Sequence, residues 1–418
     1  MARTVRSPAL LAAFCVLFLN ACVNGRLQRV SESPSPVTTA AFASEMAGVA
    51  KTAWTDGNEI ETLVNGGKFF PAMLEAIGAA RETVTFETYV CVNSPQVKAF
   101  TDAFRERARA GVKVHLILDA YGCNTYGRSH LAAMRRDGVM IETYNRFQPL
   151  RPLAYNHRTH RRVLVVDGKV GFVGGAGIAY AWDGDAEDPM RWRDTQYEIR
   201  GPAVRQLQDI FNENWQEQTG EKLSGAGYYP ELEDAGRLRA QAVAGSPGKR
   251  EETIGSSYLL AIRAARRSIL ISHSYFIPSR EITEALVAAA RRGVRIELII
   301  PGKHTDMPIC LPTAAPSLRR MMEAGMLIYE YEPCMMHNKL VVIDDELSIA
   351  GSGNIDSRSF FINDENNLHV LSRQFAAEQR RVFEFDKSRS RRLTSKDLNL
   401  SLGDRVQGVI GRLVEHQL

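Results

Sequence analysis

The sequence predicts an α/β protein built from two similar halves, each an α/β/α sandwich. Three observations support this prediction. The chain has 418 residues, which exceeds an ordinary single domain of roughly 100–200 residues. It contains an internal repeat with a period of about 180 residues, which is too long for a solenoid and typical of a duplicated domain. In both halves helix-like segments alternate with apolar strand-like runs, the pattern of a sheet covered by helices on both faces.

Composition places the chain among globular proteins. Hydrophobic residues make up 44% and charged residues 24%, values that exclude disordered, collagenous and polytopic membrane proteins. The 52 Lys and Arg against 48 Asp and Glu leave a formal net charge of +4, whereas a nucleic-acid binder usually carries a large, clustered basic excess. We therefore expect no nucleic-acid partner, and an anionic ligand would have to be recognised locally.

The N-terminus, residues 1–21, has the pattern of a signal peptide of the lipoprotein type. Two arginines precede an apolar run at residues 9–19, which is too short to span a bilayer of about 30 Å and has the usual length of a secretory signal core. A small residue and Cys22 follow, which resembles a bacterial lipobox, where the cysteine is acylated after cleavage. We predict a lipoprotein anchored in the bacterial cell envelope on the periplasmic side. An ordinary signal peptide and an uncleaved anchor are the alternatives.

The repeat divides the rest of the chain into five segments. Within the repeats, residues 79–89 match residues 264–275, and each stretch is a helix end that leads into a strand-like run. Gly111 and Gly293 then each end a helix before the next strand. The segment between the repeats is rich in Gly, Ala, Pro and charge, and we expect no comparable strand in it. The five segments are an N-terminal linker 22–55, repeat 56–220, a connecting linker 221–255, repeat 256–395 and an amphipathic C-terminal segment 396–418.

Four cysteines remain once Cys15 and Cys22 are set aside. Their wide, irregular spacing and the large predicted core make disulfides dispensable even in an exported protein, so we expect buried free thiols. No CxxC pair and no HExxH motif occurs, which leaves zinc without sequence support. We expect no metal and no cofactor. The four cysteines are Cys91, Cys123, Cys310 and Cys334.

The same polar motif, His-x-cation-x4-Asp, occurs once in each half. It comprises His160, Arg162 and Asp167 in the first half, and His337, Lys339 and Asp344 in the second. Alternate residues of a strand share a face, so each histidine projects beside its cation, and an imidazole next to a fixed positive charge suits a phosphate group. One such histidine would more often be an ordinary polar residue, whereas two at equivalent positions indicate a catalytic site. Both aspartates lie deeper in the strand and are expected to be structural.

A turn of small residues follows each motif. In the second half it ends at Asn354, whose side-chain amide can donate a hydrogen bond to a phosphate oxygen. Gly177 stands at the corresponding position of the first half and has no such donor. We therefore expect Asn354 to be the amide donor of the site.

These features together resemble the phospholipase D superfamily, whose signature is HxKx4D in each of two repeats followed by a GGxN or GSxN turn. The resemblance covers about residues 60–390, and within the superfamily the stretches 192–194 and 354–366 are similar to bacterial cardiolipin synthases. It implies a duplicated phospholipase D fold with one active site at the interface of the halves. The sequence departs from the signature at Arg162, where lysine is usual, and at Gly177, where many members have asparagine.

A phosphodiester repels nucleophiles, so its site must neutralise the phosphate oxygens, supply a nucleophile and protonate the departing alkoxide. One neutral histidine would attack phosphorus while the other, protonated, acts as general acid. The sequence is symmetric on this point, and the resemblance assigns the nucleophile to His160 and the acid/base role to His337. We expect Asp194 to orient His160 and Glu365 to orient His337.

The resemblance implies phosphatidyl transfer between phospholipids through a phosphohistidine, with two phosphatidylglycerols giving cardiolipin and glycerol. The partners would be anionic phosphatidylglycerol and a membrane surface. A hydrolytic phospholipase D, or another phosphodiesterase such as a nuclease, would use the same residues with water as the acceptor. A non-catalytic lipid-binding envelope lipoprotein would follow if Arg162 marks a degenerate first motif. Because arginine retains the charge and can bind two phosphate oxygens, we expect activity to be retained.

The C-terminal region favours a lipid substrate. A basic cluster can meet anionic headgroups, and a helically spaced apolar stripe follows it. The stripe can pack on the protein's own core or lie on a membrane, and the sequence does not distinguish these. The cluster is Lys387, Arg389, Arg391 and Arg392, and the stripe is Val406, Val409, Ile410, Leu413 and Val414.

Overall fold

The computed structural model describes residues 26–150, 155–247 and 252–417. The predicted signal peptide and Cys22 lie outside the described residues, so the lipoprotein assignment stays a prediction. Within those ranges no helix is long and apolar enough to cross a bilayer.

Fifteen strands form the centre of the described structure. They are β1 (Thr55–Val64), β2 (Thr83–Thr88), β3 (Lys113–Asp119), β4 (Met140–Tyr144), β5 (Val163–Val166), β6 (Val170–Gly174), β7 (Thr195–Arg200), β8 (Leu238–Gly245), β9 (Ser268–His273), β10 (Arg295–Pro301), β11 (Leu327–Tyr331), β12 (Lys339–Ile343), β13 (Leu347–Gly351), β14 (Glu365–Leu371) and β15 (Ser390–Arg392).

The strands form one sheet in the order β15-β11-β10-β9-β12-β13-β14-β8-β1-β7-β6-β5-β2-β3-β4. In the first half β2, β3 and β4 run parallel, while β5, β6, β7 and β1 continue the sheet in antiparallel pairs. In the second half β9, β10 and β11 are parallel, and β12, β13, β14 and β8 follow in antiparallel pairs. The two seven-strand patterns meet where β1 pairs with β8. The predicted duplication is confirmed.

Helices cover both faces of this sheet. Ser94 and Ser279 cap the N-termini of equivalent helices in the two halves by accepting hydrogen bonds from the backbone N–H groups of Val97 and Ile282. The helices are α1 (Ala40–Ala50), α2 (Gly66–Ala79), α3 (Pro95–Arg109), α4 (Arg128–Arg136), α5 (Ala203–Thr219), α6 (Thr253–Ala264), α7 (Arg280–Arg291), α8 (Cys310–Glu323), α9 (Ser357–Phe361), α10 (Arg373–Ser388) and α11 (Leu402–Leu413), with 3₁₀ turns at Tyr180–Trp182 and Glu415–Gln417.

Within the described ranges, three hydrophobic cores hold the layers together. One lies under α2, α3 and α4 of the first half, and a second lies under α1, α6, α7 and α8 of the second half. The third contains side chains of α5 and α10 and runs across both halves on the opposite face of the sheet. This shared core makes the two halves one packed unit and confirms the predicted α/β/α sandwiches.

The expectation that the connecting segment 221–255 contains no strand is wrong. It holds β8, which lies at the centre of the sheet and pairs with β14 and β1. Six of the eight residues of β8 are buried, and its side chains are mostly Ala, Val and Gly. Small side chains suit a strand covered closely by α5 and α6, but they give only a weak β signal in the sequence.

The segment 22–55 is also more than a linker, because it contains α1. Phe42 and Met46 of this helix are buried in the core of the second half. The four cysteines are free thiols as expected. Cys91, Cys123 and Cys334 are buried, and Cys310 is partly exposed.

Candidate active site

The two motif histidines lie just before β5 and β12, buried where the halves meet. The backbone N–H of His160 donates to the carbonyl oxygen of Asp364 at 2.8 Å, and the N–H of His337 donates to the carbonyl oxygen of Arg193 at 2.8 Å. Each motif is therefore attached through its backbone to the opposite half. This exchange brings the two predicted histidines to one interface.

The carboxylates that orient the histidines also cross the interface. Nδ1 of His160 lies 2.8 and 2.9 Å from the two carboxylate oxygens of Glu365, and Nδ1 of His337 lies 2.6 Å from Oδ2 of Asp194. The expected pairing, Asp194 with His160 and Glu365 with His337, is wrong. Asp194 comes directly after Arg193, whose carbonyl oxygen accepts from His337. Glu365 likewise comes directly after Asp364, whose carbonyl oxygen accepts from His160. These backbone hydrogen bonds therefore place each carboxylate beside the histidine of the other half.

A proton on Nδ1 bound to the carboxylate leaves Nε2 of each ring available for chemistry. Burial lowers the pKa of His160 well below its usual value, and the positive charges of Arg162, Lys339 and His337 lower it further. Burial raises the pKa of Glu365 to about 8. The His160–Glu365 pair is thus neutral overall at pH 7, and its ring is suited to act as a nucleophile.

The His337–Asp194 pair has the opposite electrostatic character. Asp194 accepts hydrogen bonds from His337, from Nε1 of Trp182 at 2.9 Å and from the backbone N–H of Thr195 at 2.8 Å. Although burial alone would raise the pKa of Asp194, the charge and hydrogen bond of His337 hold it below its usual value. Asp194 is therefore an ionised carboxylate that can stabilise an imidazolium at His337.

The His337 pKa itself is lowered to about 4, by burial first and by Lys339 second. An anionic phosphodiester between Lys339 and Arg162 would offset that positive charge. The bound substrate would therefore raise the pKa of His337 and favour the protonated form that a general acid needs.

The two cations lie beside the histidines as the motif spacing predicts. Nζ of Lys339 lies 3.2 Å from Nε2 of His337 and donates to Oγ of Ser274 at 2.8 Å. Burial lowers its pKa to about 7. Arg162 donates to the carbonyl oxygen of His160, while its buried Nε has no hydrogen-bond partner in the described structure. An unpartnered buried donor is costly, and a phosphate oxygen would satisfy it.

The small-residue turns differ in what they present. Oδ1 of Asn354 accepts from Ser274 at 3.1 Å, and the side chain is buried in the site. That bond leaves its amide nitrogen to donate. At Gly177 a Cβ atom would lie 2.7 Å from Cβ of Val90, so asparagine has no room there without a shift. The first half lacks this donor for a steric reason.

Asp167 and Asp344 lie at the far ends of β5 and β12 and contact neither histidine. The Asp167 carboxylate accepts the backbone N–H groups of Arg81, Glu82 and Thr83 at 2.8 to 2.9 Å. The Asp344 carboxylate accepts those of residues 266–268 in the same way. Both motif aspartates have a structural role, as expected from their depth in the strand, because Asp167 holds the start of β2 and Asp344 holds the start of β9.

Sequence reasoning did not assign to the site the aromatic residues that enclose the histidines. The Tyr89 ring lies 5.1 Å from the His160 ring, and the Tyr275 ring lies 5.7 Å from the His337 ring. Trp182 and Trp192 each lie 5.2 Å from His337. The two tyrosines follow the first parallel strand of each half, so their repeated position was a signal that could have identified them.

Two repeats that bring both His-x-cation-x4-Asp motifs to one interface define a protein of the phospholipase D superfamily. A comparison with protein families matches residues 73–215 and 258–387 to the family described as "Cardiolipin synthase, PLD-like domain". The chain belongs to this cardiolipin synthase family of phospholipase D-type enzymes. Cardiolipin synthase A of Pseudomonas aeruginosa is 32% identical over 356 residues, which cover 84% of this chain and 71% of that protein. Cardiolipin synthase of Geobacillus kaustophilus is 33% identical over 340 residues, which cover 79% of this chain and 68% of that protein.

Solved structures agree with the fold. Phosphatidylserine synthase of Haemophilus influenzae superposes with a TM-score of 0.68 at 14% identity, covering 90% of this chain and 100% of that one. Polyphosphate kinase of Porphyromonas gingivalis gives a TM-score of 0.56 at 14% identity, covering 82% of this chain and 49% of that one. At these identities the likeness concerns the fold alone.

Proposed function

We propose that this enzyme transfers a phosphatidyl group from one phosphatidylglycerol to another, giving cardiolipin and glycerol. The observation that carries the proposal is the pair of buried histidines, each held through Nδ1 by a carboxylate of the opposite half and placed beside a cation. The names of the relatives at 32 to 33% identity support the same reaction.

In the first step Nε2 of His160 attacks phosphorus while the bond from phosphorus to the oxygen of the headgroup glycerol breaks. Protonated His337 gives its proton to that oxygen, and glycerol leaves. The product is a phosphatidyl group attached to His160 through a phosphorus–nitrogen bond. Arg162, Lys339 and the Asn354 amide stabilise the charge on the non-bridging oxygens in the transition state.

In the second step a hydroxyl of the second phosphatidylglycerol loses its proton to neutral His337. The resulting oxygen attacks phosphorus, and the bond to His160 breaks. Cardiolipin leaves, and His337 has recovered the proton for the next cycle. Asp194 supports both steps because its ionised carboxylate stabilises the imidazolium form of His337.

Hydrolysis would use the same two steps with water in place of the second lipid. The purified full chain, incubated with phosphatidylglycerol vesicles, tests the two against each other by lipid extraction and chromatography. Cardiolipin with equimolar glycerol is the expected result. Phosphatidic acid as the main product would make the protein a hydrolytic phospholipase D, and no turnover would support the non-catalytic alternative.

We further propose that Cys22 is acylated and holds the enzyme to an envelope membrane, with the catalytic halves on the periplasmic side. The support is the signal-like sequence that precedes it. Cys22→Ser should abolish incorporation of labelled fatty acid into the protein. Unchanged labelling of that variant would remove the lipoprotein proposal and leave the enzymatic one untouched.

A further inference from the structure

The C-terminal helix α11 is fixed to the protein by a face made of glycine. Gly408 and Gly411 are buried against the first turn of α8. A Cβ atom at Gly408 would lie 2.5 Å from the carbonyl oxygen of Pro312, and one at Gly411 would lie 1.9 Å from Oγ1 of Thr313. Only glycine permits so close an approach, so the orientation of α11 about its own axis is defined.

The opposite face of α11 carries an apolar stripe that the described chain leaves exposed. Leu402 is 80% exposed and Leu413 is 71% exposed, and three residues between them are about half exposed. With 3.6 residues per turn, all five point away from the two glycines. The stripe is not part of the core of the described structure, which excludes one of the two alternatives left by the sequence. Its members are Leu402 and four residues of the stripe predicted from the sequence, namely Val406, Val409, Ile410 and Leu413. The fifth predicted member, Val414, is partly buried.

The helix lies at the rim of the active site. Its partner α8 follows the loop of Asp306, whose carboxylate accepts from the Tyr275 hydroxyl at 3.0 Å. The turn after α11 reaches the other side of the rim, where Asn156 donates to Oε1 of Gln417 at 2.8 Å. The turn that ends α11 is therefore beside the segment that leads from Asn156 to His160.

Loops around the same rim expose further apolar side chains. Met307 is next to Asp306, and Met190 lies two residues before Trp192, which contacts His337. Phe147 lies near Asn145, whose side chain donates to the carbonyl oxygen of His157. Together with the stripe of α11 these three side chains form what we call the rim surface. Isolated exposed apolar residues are ordinary, but a group arranged around one entrance indicates an apolar partner.

Charge identifies the partner more closely. Arg405 and Arg412 are exposed along one border of the α11 stripe, the arrangement of an amphipathic helix that lies on an anionic membrane. Two of the four residues in the basic cluster predicted from the sequence are held in ion pairs. Lys387 pairs with Glu297 and Glu384, and Arg391 pairs with Glu330 and Asp397.

We propose that the rim surface docks on an anionic phospholipid bilayer and holds the active site over it. The inference rests on the proposed function, because a lipid headgroup must leave the bilayer to reach the buried histidines. If the rim surface contacts the headgroup layer, the lipid headgroup has only a short distance to move from the bilayer to the histidines. A second copy of the chain seated on the same surface would cover the entrance that substrate needs, so we commit to the bilayer.

The test places charge on the stripe and compares two forms of one substrate. The full-length double variant Val409→Glu/Leu413→Glu should lower turnover of phosphatidylglycerol in vesicles by about tenfold. Two carboxylates on the stripe are repelled by anionic headgroups and disfavour its insertion into the bilayer. Turnover of short-chain, monomerically dissolved phosphatidylglycerol should stay within about twofold, because the histidines are unchanged. Gln407→Glu, an exposed position of α11 off the stripe, is the matched control and should resemble wild type with both substrates. Any N-terminal anchor is common to all forms compared.

The outcomes separate the inference from the function on which it rests. Equal turnover of vesicles by the double variant and wild type would overturn the docking proposal while leaving the reaction intact. No turnover of either substrate form by wild type would instead overturn the proposed function. A wild-type dimer that the double variant converts to monomer would show that a second copy covers the stripe. If the double variant unfolds, the single variant Leu413→Glu, at the more exposed of the two substituted positions, replaces it in the same comparison.

Discussion

The two halves share one seven-strand topology but contribute different chemistry to the site. The first half supplies His160 and Arg162 with a glycine at the end of its turn, and the second supplies His337 and Lys339 with Asn354 at the equivalent place. The carboxyl group that orients each histidine comes from the other half: Glu365 pairs with His160, and Asp194 pairs with His337. A duplicated fold can thus divide one reaction between two similar motifs without changing its backbone.

The small-residue turns give the two carboxyl groups different hydrogen-bond donors. Ser352 of the second half donates to Glu365. At the equivalent Gly175, a Cβ would lie 2.7 Å from Oδ1 of Asp194, and Asp194 instead receives Trp182. Burial raises the pKa of Glu365 even though the Ser352 hydrogen bond lowers it. Burial also acts on Asp194, but the charge and hydrogen bond of His337 hold its pKa below the usual value. The two carboxyl groups therefore differ because their surroundings differ.

The strongest way to test the division is to remove each histidine. His160→Ala and His337→Ala should each reduce turnover of phosphatidylglycerol by at least about 1,000-fold, because nucleophile and acid act as a unit. A p-nitrophenyl phosphodiester, whose leaving group needs no proton, should separate them. His337→Ala should release a stoichiometric burst of nitrophenolate, and His160→Ala should release none. Mass spectrometry of the trapped adduct checks the assignment, and a modified His337 with His160 unmodified would reverse the roles.

Replacing the turn residues should show that they are not interchangeable. Asn354→Ala should lower turnover by about 100-fold through loss of one donor to the developing negative charge. Gly177→Asn should not add activity and should lower the free energy of unfolding by about 1–3 kcal/mol, because its Cβ overlaps Val90. Turnover and denaturant unfolding measure the two effects. Raised activity in Gly177→Asn would mean that the first half can accept a second donor after all.

The crossed carboxylates predict unequal costs. Asp194→Asn should lower turnover by about 100-fold, because it removes the charge that stabilises protonated His337. Glu365→Gln should cost about tenfold, because the raised pKa of Glu365 already makes the carboxyl neutral at pH 7. With the p-nitrophenyl substrate, only Glu365→Gln should slow the burst, since it alone orients His160. A slower burst in Asp194→Asn with a normal burst in Glu365→Gln would restore pairing within each half.

The smallest expected effect is a pH dependence of substrate binding. The Lys339 pKa is lowered to about 7, so in the free enzyme this ammonium is charged below that pH and loses its proton above it. KM for the anionic substrate should therefore rise severalfold between about pH 6 and about pH 9, with less change in kcat. Lys339→Arg should flatten the rise because a guanidinium stays charged. A KM that does not change with pH in wild type would contradict a titrating Lys339.

Much of this protein could be predicted from its sequence because the information lies along the chain. The order of helices and strands, the duplication, and both His-x-cation-x4-Asp motifs depend on local periodicity and spacing. The departures at Arg162 and Gly177 and the structural place of the motif aspartates were also local. The strand β8 could not be predicted from local sequence, because its small side chains are explained only by the helices that cover it in the folded protein.

The tertiary structure alone decided which residues meet across the interface. Asp194 follows the first motif in sequence, and Glu365 follows the second, so sequence order pairs each with its own histidine. Hydrogen bonds from the two histidine N–H groups to the opposite half reverse this pairing. The same reason applies at the C-terminus, where the periodicity of α11 predicts an apolar stripe but only the glycine contact with α8 determines that it faces outward. Periodicity defines a face of an element, whereas packing decides what that face meets.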